Sequence, residues 1–108
     1  MAHRITLDYA VYLTTNYRTY IEDVFASSCL ASEILANAET FDAIEVRELL
    51  SQPDTVKLRI YYGMEKDKKV VAVLVGVDSN DRDMTEGIIL QDAARCPPMC
   101  PPASVLNS

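Results

Sequence analysis

The 108-residue sequence contains no tryptophan, one histidine and three glycines, and these shortages limit the chemistry it can carry. Three glycines argue against a glycine-rich phosphate-binding loop, and no Gly-x-Ser-x-Gly motif is present. The single histidine, His3, would have to serve any cysteine–histidine nucleophile pair, yet we expect it to lie in a disordered terminus. The composition therefore favours a protein that binds over one that catalyses, and it leaves the question of an enzyme open.

Positive charge is also scarce, because 10 Lys and Arg stand against 16 Asp and Glu and the net charge is −6. Nucleic acid is not an expected partner, since phosphate contacts need clustered basic side chains. The longest aliphatic run, Val70–Val77, is far shorter than the ~20 residues of a membrane-spanning helix. Asp8 falls where a signal peptide would place its apolar stretch. We therefore expect a cytoplasmic protein without a membrane partner.

Helix breakers are missing from the first half of the chain, where the first proline is Pro53 and the first glycine is Gly63. Such a stretch favours helices. Thr6 is predicted to cap a first helix, whose apolar positions recur at helical spacing: Ala10, Leu13, Tyr17, Ile21 and Val24. A second stripe predicts another helix that ends near Asn37: Leu30, Ala31, Ile34, Leu35 and Ala38. The sequence leaves open whether these two helices are continuous.

A third helix has clearer boundaries. Asp42 followed by Glu45 fits a capping box, in which each side chain bonds a free backbone N–H group at the helix start. Phe41 before the cap and Val46 after it are placed to form a hydrophobic staple. Pro53 is predicted to end the helix.

Beyond Asp54 the hydrophobic period changes to two, which predicts β-strands. The first strand is expected to bury one face and to expose the other. The buried face would hold Val56, Leu58, Ile60, Tyr62 and Met64, and the exposed face Lys57, Arg59, Tyr61 and Gly63. Val70–Val77 contains no polar residue, so we expect it to be buried on both faces. Ile88–Leu90 could supply a short third strand.

The short charged turn between the two main strands predicts an antiparallel hairpin. We therefore predict an α+β fold, with two or three N-terminal helices packed on a small antiparallel sheet built around this hairpin. Residues 1–95 would form the single domain, and residues 96–108 an extended tail rich in Pro and Cys. Because one helical layer covers only one face of Val70–Val77, we expect a homodimer formed through the hairpin edge or the Arg59/Tyr61 face.

Several segments resemble a group of small bacterial proteins for which no activity is established. The matching segments are Asn16–Arg18, Leu49–Leu50 with Gln52–Pro53, Leu58–Gly63, Val73–Asp78, Asp83 and Cys96–Cys100. The most specific of them are the Arg-Ile-Tyr-Tyr-Gly strand, the Val-Gly-Val-Asp strand end and the Cys-Pro-Pro-x-Cys tail. This resemblance implies the same architecture and transfers no catalytic residue.

The tail beginning Cys96-Pro97-Pro98-Met99-Cys100 concentrates two of the three cysteines and four of the five prolines. Two thiolates and a thioether suit Cu(I), and thiolates suit Zn(II), although a structural zinc site needs a fourth ligand. A Cys96–Cys100 disulfide, a proline-rich docking segment that includes Pro97 and Pro98, and simple packing in an apolar groove are the alternatives. An odd number of cysteines in a reducing compartment predicts free thiols.

Arg59 and Tyr61 form the second candidate site. We expect them to project from the exposed face of a strand whose neighbour is wholly aliphatic, where they would form a binding surface or an interface. The sequence thus predicts a non-enzymatic binding module that self-associates and has no cofactor. The alternative is a thiol-dependent copper, zinc or redox protein that uses Cys96, Met99 and Cys100. A protein partner other than a second copy would fit the first prediction equally well.

Overall fold

The computed structural model describes residues 3–26 and 34–107. Its elements are helix α1 (Leu7–Ala26), strand β1 (Ala38–Thr40), helix α2 (Ala43–Leu50), strands β2 (Lys57–Met64), β3 (Val70–Val77), β4 (Ile89–Leu90) and β5 (Ala94–Cys96), and a 3-10 helix (Val105–Asn107). Strands β2, β3 and β4 form an antiparallel sheet in that order, and β1 pairs with β5 in a separate antiparallel ribbon. The predicted α+β fold around one hairpin is confirmed.

Helix α1 packs on one face of the sheet. The hydroxyl of Thr6 accepts a hydrogen bond from the backbone N–H of Tyr9 at 3.1 Å, so the predicted cap is confirmed. Ala10 and Leu13 are buried against alternate residues of β3: Val71, Val73 and Val75. Since successive strand residues point to opposite faces, α1 covers the odd-numbered face of β3.

Helix α2 covers the opposite face. Leu49 is buried against Leu74 of β3 and Leu90 of β4, and Phe41 and Val46 pack around this cluster. Strand β3 is therefore shielded on both faces within one chain, as its lack of polar residues predicted. The need for a second subunit to cover β3, on which the dimer prediction rested, does not exist.

The start of α2 is confirmed but its predicted capping box is wrong. Asp42 occupies the cap position and makes no side-chain cap hydrogen bond. Glu45 is buried, and its Oε2 lies 3.6 Å from Nε of Arg4. A carboxylate drawn toward this distant arginine is not available to bond the backbone of Asp42. The helix ends at Leu50, three residues before Pro53.

The face assignment of β2 is wrong for four of the five residues expected in the core, and only Met64 is buried as predicted. Val56, Leu58, Ile60 and Tyr62, which were expected in the core, are 57, 39, 50 and 60 % exposed. Gly63, on the face expected to be wet, is buried under Leu13 of α1. Helix α2 has only eight residues and packs over β3 and β4, so the even-numbered face of β2 lies beyond its reach.

His3 is buried rather than disordered, which corrects the expectation for the N-terminus. Its Nδ1 donates to the backbone oxygen of Asp92 at 3.0 Å, and its Nε2 accepts from the backbone N–H of Asp42 at 3.2 Å. The ring also contacts Phe41 edge-on, with centroids 5.3 Å apart. His3 thus joins the start of the chain to two distant loops and serves the fold.

The predicted second helix falls mostly on residues 27–33, which lie outside the described residues, as does Cys29. At the end of that prediction, Ala38 begins strand β1 and is not helical. The predicted third strand is confirmed as β4, where Ile89 pairs with Val75 and Leu90 with Leu74. The ribbon of β1 and β5 was not predicted, because three-residue strands carry too little periodicity to be recognised.

The close approach of α1 to β2 generates a stability prediction. A Cβ atom at Gly63 would lie 2.8 Å from Cβ of Leu13, which cannot move without moving the helix. We expect Gly63→Ala to lower the free energy of unfolding by about 1–3 kcal/mol, as overpacking does. Urea denaturation measures this change.

Gly76→Ala is the matched control. Its Cβ would meet side-chain atoms at longer distances, Cγ2 of Thr55 at 3.2 Å and Sδ of the flexible Met84 at 3.3 Å, and no part of a helix. We expect this variant to stay within about 1 kcal/mol of the parent chain, since Met84 can repack. Equal losses in the two variants would contradict the close contact of α1 with β2.

Candidate functional site

The cysteine-containing loop follows directly from β5. Cys96, the last residue of that strand, is 1 % exposed and forms a disulfide with Cys100, which is exposed. Their Cα atoms lie 4.6 Å apart. Backbone hydrogen bonds from Met99 to Arg95 (2.8 Å) and from Cys100 to Pro98 (3.1 Å) fold the loop back on itself. Polyproline II contains no such internal bonds, so residues 96–100 do not present an extended docking strand.

The disulfide bears on the metal hypothesis, since the thiolate and not the disulfide is the metal ligand. While the disulfide is closed, the exposed thioether of Met99 would have to bind a metal without the two thiolates. Across residues 3–26 and 34–107, no group of three or more His, Cys, Asp or Glu side chains could hold a metal ion. A metal site at Cys96, Met99 and Cys100 stays a prediction for the reduced chain. The path of the complete tail over residues 96–108, and its separation from a domain 1–95, also stay predictions.

Arg59 and Tyr61 contact the loop that follows β3. Nη1 of Arg59 lies 2.7 Å from Oδ1 of Asp83, and Nη2 lies 3.0 Å from Oδ1 of Asp81. The hydroxyl of Tyr61 donates to the other carboxylate oxygen of Asp83. Two neighbouring side chains of β2 are thus held by one carboxylate. Their polar groups are paired within the chain, and a binding surface at Arg59 and Tyr61 stays a prediction.

The cluster changes the acid–base behaviour of its members. The hydrogen bond to Asp83 is the largest cause that raises the pKa of Tyr61 above 10.0, and burial and the negative charge of Asp83 act in the same direction. The same carboxylate raises the pKa of Arg59. Asp83 therefore favours the protonated form of both partners.

The opposite face of β2 carries exposed apolar side chains. Val56, Leu58, Ile60 and Tyr62 form what we call the β2 apolar face, and all four are exposed. The alternation that identified these residues was visible in the sequence. What the sequence did not show was that α2 is too short to cover them.

The backbone edge of β2 is open on the same strand. Glu65 donates its N–H to Lys69 at 2.9 Å, so the backbone groups of odd-numbered residues point toward β3. Within β2, from Leu58 onward, the even-numbered residues direct theirs outward, and the carbonyl of Met64 accepts from Nδ2 of Asn16 at 3.0 Å. No strand in the described parts of the chain pairs with this outer edge. The unpaired edge therefore consists of the outward backbone groups of Leu58, Ile60 and Tyr62. At the hairpin end, Asn16 pairs the carbonyl of Met64.

Comparison with known proteins adds no function, since no family model, no curated protein and no solved structure matches this chain. The resemblance to small bacterial proteins therefore depends on its sequence motifs alone. Among the residues described, no helix is both long and apolar enough to cross a membrane.

The Tyr61–Asp83 hydrogen bond can be tested by titration. We expect the Tyr61 phenol to ionise above the ordinary tyrosine range and Asp83→Asn to move its pKa back toward that range. Because the folded pKa is the higher one, the associated stability is complete below pH 10 and is lost as the pH rises through the folded value. NMR of ¹³Cζ-labelled tyrosine resolves the individual phenols.

Tyr9 is the internal control for that titration. Its pKa is raised first by burial and then by charges that do not include Asp83. We expect Asp83→Asn to leave Tyr9 unchanged. Equal movement of both phenols would indicate a general loss of structure, and no movement of Tyr61 would contradict the hydrogen bond.

Proposed function

We propose that this chain is a non-enzymatic interaction module that forms a homodimer by pairing β2 with β2 of a second copy. The observation that carries the proposal is an eight-residue edge strand that exposes both its outer backbone and an apolar face. Native proteins commonly shorten, charge or cover such edges, because an open one pairs readily with another chain. Strand β2 has two charged residues, Lys57 and Arg59. Both are paired by carboxylates of the loop that follows β3.

The strand is complementary to itself in the antiparallel direction. A two-fold axis through Ile60 would place Ile60 of one chain opposite Ile60 of the other. In the same register, Leu58 of each chain would lie opposite Tyr62 of the other. Both pairs are of the hydrogen-bonded type, because even-numbered residues direct their backbone groups outward. The β2 apolar faces of the two chains would then form one continuous surface, in which side chains directly opposite each other are apolar.

The charges also fit this register. Arg59 would lie opposite Tyr61 of the second copy, a cation beside an aromatic ring. Lys57 would face Gly63 and lie diagonal to Glu65 of the second copy. Arg59 would lie diagonal to Arg59 of the second copy, where Asp81 and Asp83 already pair each guanidinium. A two-fold pairing also removes both open edges at once and closes the assembly at two chains.

Replacing Ile60 with Lys tests the proposal at the centre of the edge. Ile60 is half exposed, so the free chain should tolerate the change, whereas the dimer would bring two ammonium groups together at its axis. We expect the dimer dissociation constant to rise by about 100-fold or more, since like charges opposite each other cost several kcal/mol at interfaces. Sedimentation equilibrium measures the constant.

Val11→Lys is the matched control, because Val11 is a half-exposed aliphatic residue on α1 with a similar exposed fraction. We expect this variant to dimerise like the parent chain. A parent chain that is monomeric at high micromolar concentration would exclude the proposal. A dimer weakened equally by both substitutions would place the interface elsewhere.

A second function, reversible thiol–disulfide chemistry, is favoured by one observation: Cys96 and Cys100 are bonded, and the exposed Cys100 gives a thiolate access to the bond. We propose a cytoplasmic location, where glutathione keeps most thiols reduced and disulfides are transient and redox-responsive. Two thiols of reduced glutathione would open the bond and leave oxidised glutathione, and the reverse reaction would close it. Copper or zinc would bind only to the open form.

Thiol trapping in glutathione buffers of varied ratio tests this second function. We expect the trapped Cys96 and Cys100 thiols to increase reversibly as the buffer becomes more reducing. Elemental analysis of the reduced chain then checks for stoichiometric copper or zinc that is absent in the Cys96→Ser/Cys100→Ser variant. A bond that stays closed in every buffer would make the disulfide structural, and dimerisation of the double variant would show that the first function does not need it.

A further inference from the structure

A cavity of about 330 Å³ opens between the C-terminal half of α1, the segment before β1 and the end of the β2–β3 hairpin. Its walls are mainly aromatic and aliphatic: Tyr17, Ile21, Phe25, Leu35, Tyr62 and Val70. The rings of Tyr17 and Tyr62 lie with their centroids 5.9 Å apart. The volume is at the lower end of the ~300–1,000 Å³ typical of ligand sites, which limits an occupant to a small molecule.

Glu39 is the one charged residue among the described residues that line this cavity. Its Oε2 accepts a hydrogen bond from the backbone N–H of Ala72 at 2.9 Å. Its Oε1 is buried and has no hydrogen-bond partner in the described structure. A buried acceptor without a partner is costly, more so when it carries charge, so a donor that enters the cavity and reaches this oxygen would relieve that cost.

The nearest cation does not satisfy Glu39. Arg95 lies opposite Glu39 in the β1–β5 ribbon, yet its guanidinium donates to the backbone oxygens of Val70 at 2.6 Å and Ile34 at 3.4 Å. Burial is the main cause that raises the pKa of Glu39, against the opposing effects of the Ala72 N–H and the Arg95 charge. The carboxylate thus lacks a close positive partner.

We propose that this cavity binds an organic ammonium ion, a primary amine carried on a short apolar group. Its N–H donates to Oε1 of Glu39, and its apolar body contacts Tyr17 and Tyr62. Aromatic rings attract a cation held over their faces, and the acidic chain as a whole attracts positive ligands. An anion would meet the Glu39 carboxylate, and a neutral alcohol would leave its charge unpaired. The site is lined by residues of one chain, and Tyr62 belongs both to this site and to the β2 apolar face.

Three probes that share a phenethyl group test the choice of charge: phenethylammonium, phenethyl alcohol and the slightly larger 3-phenylpropionate, each titrated into the full chain at pH 7 and followed by amide NMR shifts. Both the ammonium and the alcohol can donate to Glu39, but only the ammonium pairs its charge and makes the stronger, charge-assisted bond, so we expect it to bind about 10-fold more tightly than the alcohol. We expect no binding of the carboxylate. The shifted amides should be those of the cavity walls, including Tyr62 and Ala72.

Glu39→Gln keeps the size of the side chain and removes its charge, so it should abolish the preference for the ammonium. Glu86→Gln, an exposed residue that does not line the cavity, makes the same change in net charge and should bind like the parent. If Glu39→Gln does not fold, the three probes on the parent chain together with Tyr62→Leu decide the matter. Equal binding of ammonium and alcohol, binding of neither, or an ammonium preference that survives Glu39→Gln would each overturn the proposal.

Discussion

Strand β3 contains no polar side chain, so each of its two faces has to be shielded from water by another part of the chain. This requirement determines the arrangement of the remaining elements. Helix α1 approaches one face so closely that β2 carries Gly63 where the two meet, and helix α2 covers the other face through Leu49. Fully burying an aliphatic side chain contributes ~1.5–3 kcal/mol, so a strand with this composition supplies a large part of the driving force for folding.

The same requirement explains why β2 is left incompletely covered. Helix α1 lies over the odd-numbered face of β2 and reaches β3 through Ala10 and Leu13, whereas α2 has only eight residues and packs over β3 and β4. On the α1 side, β2 carries polar side chains, and Arg59 and Tyr61 are paired by the loop carboxylates. On the α2 side it carries apolar side chains, which no short acidic loop can pair. These side chains stay exposed, so this face carries apolar surface that the described part of the chain does not bury.

The sequence predicted those features that depend on local pattern. Thr6 as a cap, the limits of α2 and the double burial of β3 followed from residue types and spacing. The inward face of β2 was misassigned because alternation alone does not tell which face another element covers. His3 and Glu39 were missed for a related reason. Their partners, Asp42, Asp92 and Ala72, are far away in the chain, and no spacing rule connects them.

The β1–β5 ribbon connects the disulfide to the cavity. A ribbon of two three-residue strands is marginal alone, so its position depends on bonds to other parts of the fold. Arg95 donates to the carbonyl of Val70 and Glu39 accepts from Ala72, which attaches both strands to β3. Cys96 follows Arg95 directly, and the disulfide closes the loop whose Met99 N–H bonds back to Arg95. Glu39 of the cavity and Cys96 of the disulfide therefore lie in the same two-stranded ribbon, where Glu39 pairs with Arg95 and Ala38 pairs with Cys96. We therefore expect the position of Glu39 to depend on whether the disulfide fixes the end of β5.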